Sequence, residues 1–197
     1  MAGGRGRRQF LPGDPRACQP ERTGLVAGRG THCSWRHWDA LQEEGIASER
    51  LACTGKSYGG YLAAWAIGQT QRFHRAVVCA PISDVESHTG TSDTGYYVGP
   101  YSMGGEIDEV RELYHRLSPV EYCRAVETPT LLLQGQDDQR CPVGQSESLF
   151  ANLVRCSKVP ARMVIYPGGT HSLSATGKPS HRVDYHRRLS CWVHGEG

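Results

Sequence analysis

The stretch TGKSYGG, residues 54–60, constrains this chain more than any other. It sets Ser57 between Gly55 and Gly59, with Gly60 just behind. Before it, RLACT (Arg50 to Thr54) reads as a short buried strand. After it, YLAAWAIG (Tyr61 to Gly68) is apolar on nearly all sides and suits a buried helix. A serine between a strand and a helix fits a sharp turn that exposes its hydroxyl at the strand's end. The backbone of such a turn is strained. Strand and helix pass so close that side chains at Gly55 and Gly59 are expected to clash. The backbone N–H of Tyr58, at the start of the helix, can face a developing oxyanion.

Downstream, strands alternate with helices. RAVVCAP (Arg75 to Pro81), TPTLLLQG (Thr128 to Gly135) and ARMVIYPG (Ala161 to Gly168) read as three further strands. The leucine run of the second of these is apolar on both faces, as in parallel strands. SESLFANLVRC (Ser146 to Cys156) reads as a helix with Leu149, Phe150, Leu153 and Val154 on one stripe. A last helix spans about His181 to Val193, with Tyr185, Leu189, Trp192 and Val193 at helical spacing. Ile82 to Val126 reads as a long irregular and helical stretch. This alternation predicts an α/β fold, a parallel sheet covered by helices on both faces.

Composition excludes several other classes. The net charge is +2, and basic residues do not cluster with aromatics, so no nucleic-acid partner is expected. No apolar run is long enough to span a membrane, and MAGGRGRRQFLPGD lacks the apolar segment of a signal peptide. None of the eight cysteines (Cys18, Cys33, Cys53, Cys79, Cys123, Cys141, Cys156 and Cys191) forms a Cys-x-x-Cys pair. They are expected to pack as small hydrophobes in a reducing, cytoplasmic setting, with no zinc site and no cofactor. Residues 1–38 are dense in Arg, Gly and Pro and lack apolar periodicity, which predicts an irregular or disordered leader. DALQEEG, from Asp39, reads as the end of a helix stopped at Gly45. The folded unit is expected to run from 39 to 197.

A serine nucleophile needs a base, and the base needs an orienting acid. In α/β-hydrolases they follow in the order Ser, Asp or Glu, His, each on a loop after its own strand. The third strand here ends in QGQDDQRCP, which offers Asp137 and Asp138. The fourth ends in YPGGTHSLS, which offers His171. Both loops leave the carboxyl ends of their strands, where such sheets form active sites. Arg140 is expected to brace the acid loop. Cys141 is expected to be a packed thiol without a catalytic or disulfide role.

From about Leu41 onward the chain resembles the catalytic domain of the prolyl oligopeptidase family of serine peptidases, in its acylaminoacyl-peptidase-like branch. GKSYGGYLAAWAIGQTQRF, GTSDTGYY, SPVEYCRAVETPTLLLQGQDDQRCP and YPGGTHSLSATGKPSHR carry the resemblance. It implies an α/β-hydrolase fold, with Ser57 as nucleophile, Asp138 in Asp-x-Arg as acid and His171 as base. It also chooses Asp138 over Asp137. Peptide or acyl-amino-acid bonds are the implied substrates, cleaved through an acyl-enzyme. Lys56 stands where the branch usually has glycine. Lys56 is expected to be a solvated side chain, with tuning of charge preference beside the serine as the alternative. Tyr96 and Tyr97 are candidates for lining the substrate pocket, with ordinary packing under a loop as the equal alternative.

The resemblance also implies eight strands, with the elbow after the fifth, and a β-propeller ahead of the hydrolase domain. Only the fifth to eighth strands have counterparts here, so the C-terminal half of the sheet is expected, without the propeller. The loop carrying the family's second oxyanion donor has no convincing counterpart; GRGT (Gly28 to Thr31) lies too close to the elbow. The alternatives to a competent peptidase are therefore a truncated, weakly active or inactive fragment, or a stand-alone esterase on small acyl substrates. With the elbow strand expected at a sheet edge, self-association into homo-oligomers is also expected.

Overall fold

The computed structural model describes residues 51–195. Arg50, Asp39 to Gly45 and the leader at 1–38 lie outside the described residues. Among the described residues the sheet has four strands, β1 (Ala52–Lys56), β2 (Arg75–Cys79), β3 (Thr130–Gly135) and β4 (Ala161–Tyr166). They are ordered β1-β2-β3-β4, and every pairing is parallel.

Among the described residues, seven α-helices accompany these strands. The first, α1 (Tyr58–Gln69), follows the elbow, and α2 (Val85–Thr91), α3 (Gly95–Met103) and α4 (Ile107–Arg116) follow β2. A 3-10 helix (Pro119–Ala125) leads into β3. Then come α5 (Val143–Cys156), a short α6 (Leu173–Thr176) and α7 (Pro179–His194). The strand expected before the serine is shifted toward it and runs up to Lys56. The stretch from Ile82 to Val126, expected to be irregular and helical, is mostly helical, and Tyr96 and Tyr97 sit on a helix.

Alternation along the strands explains the two-sided core. Ala76, Val78 and Leu132 point to one face, where Ala63, Ala64 and Ile67 of α1 and Leu149 and Leu153 of α5 cover them. Val77, Cys79, Leu131 and Leu133 point to the other, against Tyr185 and Trp192 of α7. All six residues of β3 are buried, which accounts for its unbroken apolar run. On α5 the expected stripe is too wide. Leu149 and Leu153 are buried and Phe150 packs at the margin, but Val154 is 58% exposed. The helix rests on the sheet through one narrow line, and Val154 lies past its edge. A third cluster, Trp65 with Val85, Met103, Tyr114 and Leu117, anchors α2 to α4 on α1.

Register brings the strand ends to one rim. Lys56 pairs with Cys79, Cys79 with Leu133, and Gly135 with Tyr166. The loops after β1, β3 and β4 therefore open on the same rim.

Candidate active site

The elbow is held by its backbone. Ser57 has φ 60 and ψ −124, in the region that L-residues avoid. The Ser57 N–H donates to the Cys79 carbonyl (3.0 Å), and its carbonyl accepts from the Tyr61 N–H (2.9 Å). Ser57 occupies the N-cap of α1, yet its hydroxyl makes no capping bond. That oxygen instead faces His171.

The glycines around the serine divide differently from the expectation. A Cβ on Gly55 would come within 2.0 Å of the Gly59 carbonyl oxygen, so the clash there is real. A Cβ on Gly59 would meet nothing within 4 Å. It is Gly60 whose Cβ would strike the next strand, 2.5 Å from the Cys79 carbonyl oxygen. The reason is helical geometry: Gly59 and Gly60 point about 100° apart, and only Gly60 faces β2. Ala80, after β2, also has positive φ (41), so both strands beside this crossing end in strained residues.

The three side chains expected to converge lie together. His171 Nε2 is 2.9 Å from Ser57 Oγ. His171 Nδ1 is 2.8 Å from Asp138 Oδ2. The Asp138 side chain is fully buried, and its Oδ1 accepts from the backbone N–H groups of Arg140 (2.9 Å) and Cys141 (2.8 Å). Asp137, the other candidate, is exposed, and its backbone N–H donates to the Gly169 carbonyl (2.8 Å). With a carboxylate on Nδ1, the imidazole carries its proton there and leaves Nε2 as an acceptor for the serine hydroxyl.

The acid turn is tied to its surroundings residue by residue. Arg140 pairs with Asp93 through Nε (2.6 Å) and Nη2 (3.2 Å), linking the turn to the α2–α3 loop. This charge-assisted pair holds the exposed Asp93 carboxyl below the usual carboxylate range. Arg140 therefore braces the loop, both through its own amide and through Asp93. Cys141 is buried. Burial pushes its thiol up to about 12, the Asp138 charge adds to the rise, and interaction with the Ser57 side chain opposes it. Cys79 and Cys123 are likewise buried free thiols.

Tyr58 begins α1; the residue is 53% exposed, and its ring stacks on Tyr61 (5.6 Å between centroids). Tyr96 and Tyr97 are 76% and 64% exposed, and Tyr97 stacks on Tyr101 rather than packing under a loop. Lys56 is half-buried at the end of β1. Among the described residues no cluster of three His, Cys, Asp or Glu could hold a metal ion, and no helix is long and apolar enough to cross a membrane.

Sequence reasoning passed over a set of buried polar residues beside the site. Gln134 donates to the carbonyls of Gly135 (3.0 Å) and Cys141 (3.1 Å) and accepts from Ser146 (2.6 Å). Gln145 accepts from the Ser83 and Asp84 N–H groups through Oε1. His88 and Ser92 both reach the Arg140 carbonyl. The legible signal was Gln134, a lone amide in an otherwise aliphatic strand. A buried amide needs partners, and here they lie in the acid turn and on α5.

The model of the prolyl oligopeptidase family matches residues 35–196. An uncharacterized peptidase of Bacillus subtilis, YuxL, is 40% identical over 147 residues, covering 75% of this chain and 22% of that protein. The acylamino-acid-releasing enzyme of Mus musculus is 32% identical over 165 residues, covering 78% of this chain and 21% of that enzyme. Among solved structures, the acylaminoacyl peptidase of Pyrococcus horikoshii superposes with a TM-score of 0.73 at 29% identity, over 78% of this chain and 25% of that one. The chain thus spans about a fifth of the length of these curated relatives.

Proposed function

Since the chain belongs to the prolyl oligopeptidase family of serine peptidases and shares the α/β-hydrolase fold of the acylaminoacyl peptidases, we propose that it hydrolyses peptide or acyl-amino-acid bonds through Ser57, His171 and Asp138. The observation that carries this reading is the unbroken hydrogen-bonded line from Asp138 through His171 to Ser57.

Ser57 Oγ attacks the substrate carbonyl carbon while its proton passes to His171 Nε2. Asp138 keeps the ring oriented and stabilises the imidazolium. The carbonyl oxygen, now negative, turns toward the Tyr58 N–H. Collapse of the tetrahedral species breaks the C–N bond, and the leaving amine takes the proton from His171. An ester to Ser57 remains. Water, deprotonated by His171, attacks it and frees the acid and the serine. Tyr96 and Tyr97, exposed on α3, are proposed to contact the substrate.

A second reading is favoured by one assignment and one observation. Of the described residues, the Tyr58 N–H alone is proposed as an oxyanion donor. Among those same residues, β1 pairs with β2 alone. Loss of one oxyanion donor costs about 3 kcal/mol, or roughly 10²–10³ in rate. Activated small esters tolerate that loss better than amides. An open strand edge favours self-association. On this reading the chain is a weak esterase that tends to oligomerise.

The test is labelling with a fluorophosphonate probe, alongside kinetics on matched acyl-amino-acid ester and amide substrates. Labelling that disappears in Ser57→Ala is expected. Ester turnover without amide turnover would select the second reading. A folded chain whose labelling is equal with and without Ser57 would overturn both.

A further inference from the structure

The Asp138 carboxylate is held by two amides, and both are fixed from behind. The peptide joining Gln139 to Arg140 points its N–H at Asp138 Oδ1 (2.9 Å). Its carbonyl, on the opposite side, accepts from the Asp93 N–H (2.9 Å). The peptide joining Arg140 to Cys141 also points its N–H at Oδ1 (2.8 Å). Its carbonyl accepts from His88 Nε2 (3.0 Å) and Ser92 Oγ (2.8 Å). A trans peptide is planar, with N–H and C=O opposed. Fixing the carbonyl therefore fixes the direction of the N–H. Each amide that binds the carboxylate has its plane set by a donor outside the turn.

We propose that His88 and Ser92 are positioning residues: through the Arg140 carbonyl they aim the Cys141 N–H at Asp138 and so hold the carboxylate against His171. The inference rests on the role given to Asp138 above. Both side chains are buried, 4% exposed for His88 and 9% for Ser92. Because its partner is a carbonyl, His88 Nε2 carries the proton and donates. Burial lowers the His88 pKa below its usual range, which favours the neutral ring, while Asp93, Asp138 and Arg140 supply the nearby charges. A buried imidazole whose Nε2 meets the Arg140 carbonyl fits support of the turn. Asp93 is a two-sided link, with its N–H on the Gln139 carbonyl and its carboxylate on the Arg140 guanidinium.

The decisive variants are the pair His88→Leu/Ser92→Ala, which leaves the Arg140 carbonyl without either donor, and His88→Gln/Ser92→Ala. In the second, the Gln amide nitrogen stands where His Nε2 does. Ser92→Ala alone guards against a misfolded double variant. Two readouts are taken on folded protein: the rate of Ser57 labelling by a fluorophosphonate, and the downfield proton resonance of His171 Nδ1–H. The Leu/Ala pair should lose or broaden the resonance and slow labelling by about ten- to a hundredfold, as small misplacements do. The Gln/Ala pair should recover most of both, and Ser92→Ala, which keeps His88, should do at least as well. Unchanged resonance and unchanged labelling in the folded Leu/Ala pair would overturn the proposal, as would a loss that His88→Gln does not repair. If the unaltered chain takes no label at Ser57, the hydrolase reading falls, and the resonance alone decides whether His88 and Ser92 position Asp138.

Discussion

Gly135 and Gly169 lie back to back: a Cβ on Gly135 would stand 2.4 Å from the Gly169 carbonyl oxygen. Gly135 ends β3 and opens the acid turn, and Gly169 precedes His171. The same contact carries the bond from the Asp137 N–H to the Gly169 carbonyl (2.8 Å). Acid and base are thus spaced by backbone packing, before any side chain is considered. Gly135→Ala should push the loops apart and cost about 1–3 kcal/mol of stability, as overpacking does. Ser57 labelling should fall by about a hundredfold, since the His171–Asp138 geometry shifts. Chemical denaturation and labelling on one sample check both. Wild-type labelling in Gly135→Ala would contradict the argument.

Gly59 and Gly60 are neighbours with opposite expected behaviour. Gly59→Ala enters open space inside α1 and should stabilise the protein by about 0.5–1 kcal/mol, through helix propensity. Gly60→Ala meets the Cys79 backbone and should destabilise it. Thermal unfolding of the two variants gives the sign of each.

Asp138→Asn separates charge from shape. Asn keeps an oxygen for the amides of Arg140 and Cys141, but presents an NH₂ to His171 Nδ1. The ring must then carry its proton on Nε2, facing Ser57, and cannot accept the serine proton. A drop in turnover of about 10⁴ is expected, with the fold intact. Asp137→Asn, at an exposed position, should leave turnover unchanged, and the pair of rates checks the assignment.

The buried thiols predict an alkaline limit. Burial raises Cys79 to about 11, and Cys123 and Cys141 to about 12, from an ordinary 9.0. Between pH 9 and those values the unfolded chain loses these protons and the folded chain keeps them. Stability from this source is complete below pH 9 and falls as pH rises. The slope is about 1.4 kcal/mol per pH unit for each thiol. The phenols of Tyr166 and Tyr185, raised mainly by burial from 10.0, steepen the loss above pH 10. Urea denaturation under reducing conditions from pH 8 to 11 measures the slope. Cys141→Ala should reduce it by one thiol's share, and an identical slope would refute that assignment.

The sequence by itself determined the strand–serine–helix turn, the order of strands and helices, and the loops that carry Asp138 and His171. Those features are local. Apolar period sets the elements, and a motif sets the elbow, so neighbouring residues suffice to read them. The resemblance added the choice between Asp137 and Asp138, which spacing left open. Only the tertiary structure decided which glycine meets β2, that Val154 lies beyond the packed line of α5, and that Ile82 to Val126 is mainly helical. It alone brought His88 and Ser92 to the acid turn. Each of these depends on which side of an element meets a partner distant in sequence, such as Gly60 against Cys79 or His88 against Arg140. Such pairings arise from sheet register and helix docking, which no single stretch of the chain encodes.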